Sequence, residues 1–190
     1  MDQYILKISG HDEAEFAKEI CEEMAVSAQK RGTGIARRSV DYIYKKLESG
    51  QAFVAIDRHA LQIAGFCYIE IWNDGAYIAN SGLLIFPNHR GKGLASRLKA
   101  FAFQKSTETF PDAKLFGLTT SAAVMEINSD LGYRPVPYDR LTNDKAFWND
   151  CRSCVNFNVL QNKQCRNCLC TAMLYDPNKK HKSIKKEETS

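Results

Sequence analysis

The stretch that most constrains this 190-residue chain is Leu83-Leu84-Ile85-Phe86-Pro87-Asn88-His89-Arg90-Gly91-Lys92-Gly93-Leu94-Ala95-Ser96-Arg97-Leu98. An apolar run ending at Pro87 reads as a strand, and two glycines mark a turn. Leu94, Leu98, Phe101 and Ala102 then share one side of a helix that opens at once. Backbone N–H groups at such a joint have no intrahelical partners, and the helix dipole adds positive potential there. Glycine lets a ligand approach the backbone closely, so the joint suits a pyrophosphate, with Arg90 and Lys92 adding charge to the same corner. The alternative is an ordinary strand–turn–helix joint with solvated basic residues.

The flanking segments predict the rest of the architecture. Tyr4, Leu6 and Ile8 alternate as in a strand. Asp12 and Glu15 make an Asp-x-x-Glu helix start, and Phe16, Ile20, Met24 and Ala28 share a face. Ser39 can cap a second helix carrying Val40, Ile43, Tyr44 and Leu47. Two strands, Ala52 to Asp57 and Ile63 to Trp72, precede the Asn73-Asp74-Gly75 hairpin signal and a strand from Tyr77 to Phe86. After the glycine turn and its helix, Leu115 to Thr120 is a short apolar strand of buried type. A helix from Ser121 to Leu131 ends at Gly132, where a left-handed cap is wanted. Tyr133 to Pro137 and Thr171 to Tyr175 supply the last strands. The order β-α-α-β-β-β-α-β-α-β-β does not alternate, which argues against a simple doubly wound sheet.

Bulk properties narrow the class further. The chain is 44% hydrophobic and 25% charged, ordinary for one globular domain. No run approaches the ~20 apolar residues of a membrane span. The N-terminal residues lack the layout of a signal peptide, so the cytoplasm is the expected compartment. The net charge of +4 comes largely from a basic run near the end of the chain. Residues 177–190 are expected to be a solvated tail on a single domain of residues 1–176. No aromatics interleave with that basic run, which argues against a nucleic-acid contact.

Five of the seven cysteines crowd between positions 151 and 170. Cys151-x-x-Cys154 and Cys165-x-x-Cys168 are paired knuckles whose spacing suits a tetrahedral structural zinc, with Cys170 able to replace Cys165. Reduced thiols in a hairpin are the alternative.

The segment Arg90-Gly91-Lys92-Gly93-Leu94-Ala95 resembles the Arg/Gln-x-x-Gly-x-Gly/Ala signature of the GNAT acyl-CoA N-acyltransferases. The likeness extends through the strand before it, the Leu115–Thr120 strand and the helix ending in Asp130-Leu131-Gly132-Tyr133. It implies an α/β (α+β) fold with a mixed, mostly antiparallel central sheet that splays at the acyl-CoA site, and helices on both faces. It also implies acetyl-CoA or another acyl-CoA as cosubstrate. The pantetheine arm would lie along the backbone of Leu84, Ile85 and Phe86, and the pyrophosphate on Arg90 to Ala95.

Many members of the family place a tyrosine where this chain has Asn128, so the usual proton donor to the leaving thiolate is missing. Tyr133 is the nearby candidate for that role, set against a structural role for both Tyr133 and Tyr138. Glu70 is the candidate base, set against a solvent-facing strand residue.

A narrower likeness involves Gly34-Ile35-Ala36-Arg37-Arg38-Ser39, Leu115 to Thr120, and Pro135-Val136-Pro137-Tyr138-Asp139. These resemble the acyltransferase domain of N-acetylglutamate synthases, and the likeness carries a role in gripping a substrate carboxylate to Arg37 or Arg38. The chain departs from that family at Ser121, where an arginine is usual, and at Ala79 and Asn80, where a carboxylate is expected. The resulting expectation is transfer of an acyl group to the α-amine of a small amino acid, by a protein whose oligomeric state, homodimer included, stays open. Acylation of protein amines is one alternative, and a non-enzymatic zinc module that binds nucleic acid is another.

Overall fold

A computed structural model of the chain describes residues 2–31 and 37–179. The Gly34-Ile35-Ala36 part of the synthase-like run, and the basic tail from 180 onward, lie outside the described residues. Among the described residues, seven strands form one sheet in the order β1-β2-β3-β4-β5-β7-β6. They are β1 (Tyr4–Ile8), β2 (Ala52–Asp57), β3 (Gln62–Trp72), β4 (Tyr77–Ile85), β5 (Lys114–Thr119), β6 (Arg134–Pro135) and β7 (Thr171–Tyr175). The β4–β5 pair is parallel and the others are antiparallel. The expected mixed, mostly antiparallel sheet is therefore present.

Alternation along β3 shows how the two faces are filled. Phe66 and Tyr68 pack with Ile20, Ile43 and Leu47 of the helices α1 (Ala17–Arg31) and α2 (Val40–Glu48). Cys67 and Ile69 point the other way, onto Leu98 and Ala102 of α3 (Leu94–Thr109). Helix α4 (Ala122–Asp130) covers the same face as α3, through Met125. Beyond α1 and α2, the first face is completed by the segment between β6 and β7. There Phe147 of α5 (Lys145–Asp150) and Leu160 of α6 (Phe157–Asn162) pack on Phe116 of β5 and Ala172 and Leu174 of β7.

Local chemistry explains most boundaries. Ser39 Oγ accepts from the N–H of Tyr42 and starts α2, and Ser121 Oγ accepts from Val124 N–H and starts α4. Gly132 follows α4 at φ +91°, the left-handed conformation expected of it.

Three expectations are corrected. The first helix opens with a 3-10 turn, His11–Phe16, and its entry is fixed by Glu13, whose carboxylate accepts from Gly10 N–H at 2.9 Å, instead of by Asp12 and Glu15. The strand expected over 133–137 is only Arg134–Pro135, because Pro135 and Pro137 lack the N–H groups that would extend a ladder. The cysteine-bearing segment is two short helices with a 3-10 turn, not a hairpin.

Candidate functional site

The sheet splits between β4 and β5. These strands pair over only three positions, Tyr77 to Ala79 against Lys114 to Phe116, so the gap opens at Asn80. Just past the opening, β4 bulges. Tyr68 pairs with Ser81 but Phe66 pairs with Leu84, leaving Gly82 and Leu83 opposite the single Cys67. Gly82 sits at φ +67°, and a Cβ there would lie 2.3 Å from a Tyr68 ring carbon, so only glycine fits. Phe86 N–H donates to Ala64 O across β3, so the ladder's alternation turns Leu84 and Phe86 towards β3 and Leu83 and Ile85 towards the gap. Of the expected trio Leu84, Ile85 and Phe86, only Ile85 therefore offers its backbone to a ligand in the gap. Its carbonyl already accepts from Arg90 Nε at 2.8 Å.

The glycine turn follows the end of β4. Gly91 and Gly93 have φ +72° and +71°, and a Cβ built on either meets nothing within 4 Å. The ledge before α3 is thus open to an incoming group. The first N–H groups of α3, from Leu94, Ala95 and Ser96, face it without intrahelical acceptors. Leu94 turns its side chain into the core, and Lys92 is exposed. Arg90 is not the free cation expected. Its guanidinium donates to Glu23 Oε1 at 2.8 Å and Ser27 Oγ at 3.0 Å, bracing the turn against α1.

A cavity of about 200 Å³ occupies the split. Arg38, Tyr68, Glu70 and Ser81 line it on the α1–α2 side. Phe147, Asp150, Cys151, Cys154 and Cys170 form the wall contributed by the segment between β6 and β7. Its floor is Asn80, Lys99 and Asn128, reached through the gap.

No family model matches the sequence, and no curated protein matches it. Solved structures match its fold. N-acetylglutamate synthase from Neisseria gonorrhoeae, complexed with coenzyme A and N-acetyl-glutamate, aligns with 94% of this chain at a TM-score of 0.65 and 12% identity. This chain spans 36% of the length of that synthase chain. Rv2747 from Mycobacterium tuberculosis, in complex with CoA and NLQ, aligns over 90% of this chain and 98% of its own at a TM-score of 0.64 and 14% identity. A phosphinothricin acetyltransferase of the GNAT superfamily from Sinorhizobium meliloti, in complex with AcCoA, aligns over 98% of both chains at a TM-score of 0.62 and 12% identity.

The chain has the GNAT fold. Within it, the sequence-predicted residues fall in distinct places. Glu70 is 3% exposed, not solvent-facing, and lies in the cavity wall. Its carboxylate accepts from Tyr42 OH at 2.5 Å and Ser81 Oγ at 3.0 Å, with Arg38 Nη2 at 3.6 Å. Arg38 is the inward member of the arginine pair: Nε donates to Tyr68 OH at 3.0 Å and Nη2 lies 3.6 Å from Asp150 Oδ2. Burial works against its charge, but the Tyr68 and Glu70 oxygens outweigh burial and hold its pKa above the usual arginine value. Burial, reinforced by Glu70, raises the phenols of Tyr42 and Tyr68, so both remain hydrogen-bond donors. Arg37 is exposed, with its carbonyl accepting from Ser153 Oγ at 3.3 Å. Tyr133 is fully buried among Phe103 and Tyr175 and is not among the cavity-lining residues.

The cysteines assemble differently from the expected zinc quartet. Among the described residues, no group of three or more His, Cys, Asp or Glu side chains is gathered closely enough to hold a metal ion. Gln164 and Cys165 are two successive left-handed residues, at φ +52° and φ +58°. The thiols that influence one another are Cys151, Cys154, Cys168 and Cys170. Burial first, then the neighbouring thiols, pushes Cys151 up to about 11 and Cys170 up to about 12, so both are neutral thiols in the cavity wall.

Tyr42, Ser81, Asp150 and Lys99 are site residues that the sequence reading passed over. Lys99 carried a signal: it is a charged residue beside Leu98 and Ala102 on the buried face of α3. Asp150 carried none, because nothing local places the end of α5 beside Arg38.

Proposed function

We propose that this protein is an acyl-CoA-dependent N-acyltransferase that moves an acyl group, acetyl in the simplest case, to the α-amine of a small amino acid. The observation that carries the reading is the pairing of Arg38 with Glu70 and Asp150 in the wall of a cavity that begins where β4 leaves β5. A cation flanked by two carboxylates complements a zwitterion. The guanidinium takes the acceptor's carboxylate in a charge-assisted pair, and the acidic groups take its ammonium. A synthase solved with coenzyme A and N-acetyl-glutamate shares the fold and supports this acceptor class.

The reaction is attack by a neutral amine on the thioester carbonyl. The glycine ledge and the α3 N-terminus hold the pyrophosphate by backbone N–H groups. The gap-facing backbone of Leu83 and Ile85 holds the pantetheine arm by adding it as a strand edge. The bulge at Gly82 interrupts the ladder beside the reacting carbonyl and supplies the position for an N–H donor to the oxyanion. Glu70, reached directly or through one water, accepts the proton that the ammonium must lose, while Tyr42 and Ser81 fix its orientation.

The test is CoA release from acetyl-CoA and from succinyl-CoA against each free amino acid and against a lysine peptide. Turnover with at least one free amino acid is expected. Turnover with the peptide alone would replace this reading with a protein-amine acyltransferase, and no CoA binding by calorimetry would remove it altogether.

A further inference from the structure

The floor of the split holds polar atoms that packing does not explain. Lys99, in the middle of α3, is 2% exposed. Its Nζ donates to Asn80 Oδ1 at 2.8 Å and lies 3.4 Å from Asn80 O, and it forms no ion pair among the described residues. The Tyr133 ring centroid stands 6.0 Å away. Among the described residues, Asn80 Nδ2, Asn128 Oδ1 and Tyr133 OH are also buried without hydrogen-bond partners. A buried cation with no carboxylate destabilises a fold, and an apolar side chain of similar volume would fill the space without that cost. Lys99, Asn80 and Asn128 all line the cavity. Asn80 is also the first residue of β4 beyond its last pair with β5. The ammonium therefore stands at the apex of the split.

A path along the gap edge of β4 from the glycine ledge leads to that apex. Resting on the acyl-CoA reading above, we infer that Lys99 is a further catalytic residue, the group that meets the departing CoA sulfur and returns it as a thiol. In this step the amine nitrogen forms its bond to the carbonyl carbon, and the carbon–sulfur bond breaks with its electron pair on sulfur. Sulfur then takes a proton from Lys99 Nζ. Glu70 has by then taken one proton from the acceptor's ammonium and passes it to solvent; the second proton, which the nitrogen sheds after attack, restores the Lys99 ammonium, so no further reactant is consumed.

The groups packed around Lys99 leave this role open to it. Cys67 on β3 is pushed up to about 12 by burial, and burial likewise raises the Tyr133 phenol, so neither supplies a counter-charge. Arg38, Glu70 and Asp150 belong to the opposite face of the sheet and are engaged with one another. Burial draws Lys99 itself down to about 8. That is close to the ~8.5 of an ordinary thiol, which suits proton exchange between the two.

The experiment needs no acceptor. CoA is bound to the full-length protein, and ionisation of its thiol is followed by thiolate ultraviolet absorbance against pH, in wild type and in Lys99→Met, with CoA affinity from calorimetry. In wild type the bound thiol should ionise about one pH unit or more below free CoA. Lys99→Met should remove that shift while CoA affinity stays within about threefold, since the pyrophosphate ledge is untouched. A bound thiol that ionises like free CoA in wild type would overturn the assignment, and this arm does not depend on the variant folding. So would a lowered thiol that survives in Lys99→Met. A wild-type protein that binds no CoA would instead defeat the acyl-CoA reading, and the role of Lys99 with it.

Discussion

Arg37 and Arg38 are neighbours in sequence with opposite environments. The sequence singled out the pair but not its inward member, because orientation is set by Tyr68, Glu70 and Asp150 from three distant elements. Arg38→Gln should lower kcat/KM for the amino-acid acceptor by one to two decades, roughly 1.5–3 kcal/mol for a charge-assisted pair. Arg37→Gln should change it less than about twofold, and CoA affinity should hold in both. Steady-state kinetics of the two single variants checks this. Equal effects, or none, would contradict the placement. Lys99 gives a prediction of opposite sign. Its folded pKa of about 8 lies below the ordinary lysine value of 10.5. Between those values the unfolded chain carries the proton and the folded one does not, so stability rises with pH across that window. Below about pH 8 the full cost of burying the charge is present. Lys99→Met should therefore make the ligand-free fold more stable at pH 7, by about 1–3 kcal/mol, with the advantage fading towards pH 10. Urea unfolding at pH 7 and near pH 10 measures it.

At the scale of elements, the strand–turn–helix unit was readable because its signals are local: an apolar run, two glycines and a helix stripe. The bulge in β4 was readable in principle, since an isolated glycine inside a strand pattern marks one, yet its purpose depends on Tyr68 arriving from β3. Gly82→Ala should cost about 1–3 kcal/mol, because its Cβ cannot coexist with the Tyr68 ring and its φ is left-handed. By displacing Tyr68 it should also weaken the hold on Arg38, raising the acceptor KM. Gly93→Asp acts on the other half of the unit. The fold has room for the side chain, but an aspartate would occupy the ledge and repel pyrophosphate. Calorimetry should find CoA binding abolished in a protein that still unfolds cooperatively. The helices of the 138–170 segment escaped the sequence reading because each is a single short turn or two, shorter than any periodicity can mark.

Across the whole molecule, the sheet is covered on one face by α3 and α4. The other face is shared between α1–α2 and the segment that carries the cysteines. The cysteine spacing suggested a structural zinc, and the fold brings three of those cysteines into the cavity wall. No local signal could have shown this, because the wall depends on Phe147 and Leu160 seating on Phe116, Ala172 and Leu174. Leu160→Ala should cost about 2–5 kcal/mol as a core truncation and loosen that wall, raising the acceptor KM while CoA affinity is kept. Thermal unfolding together with acceptor and CoA titrations separates these effects. The wall has one more consequence. The groups proposed to hold the donor occupy 82–96, whereas one wall of the proposed acceptor cavity comes from 147–170, and the two stretches share no residue. On the proposed reading, acceptor preference would drift by substitution in one loop-like insert without touching the donor machinery, and this segment would be the place to graft a different amine specificity onto the same frame.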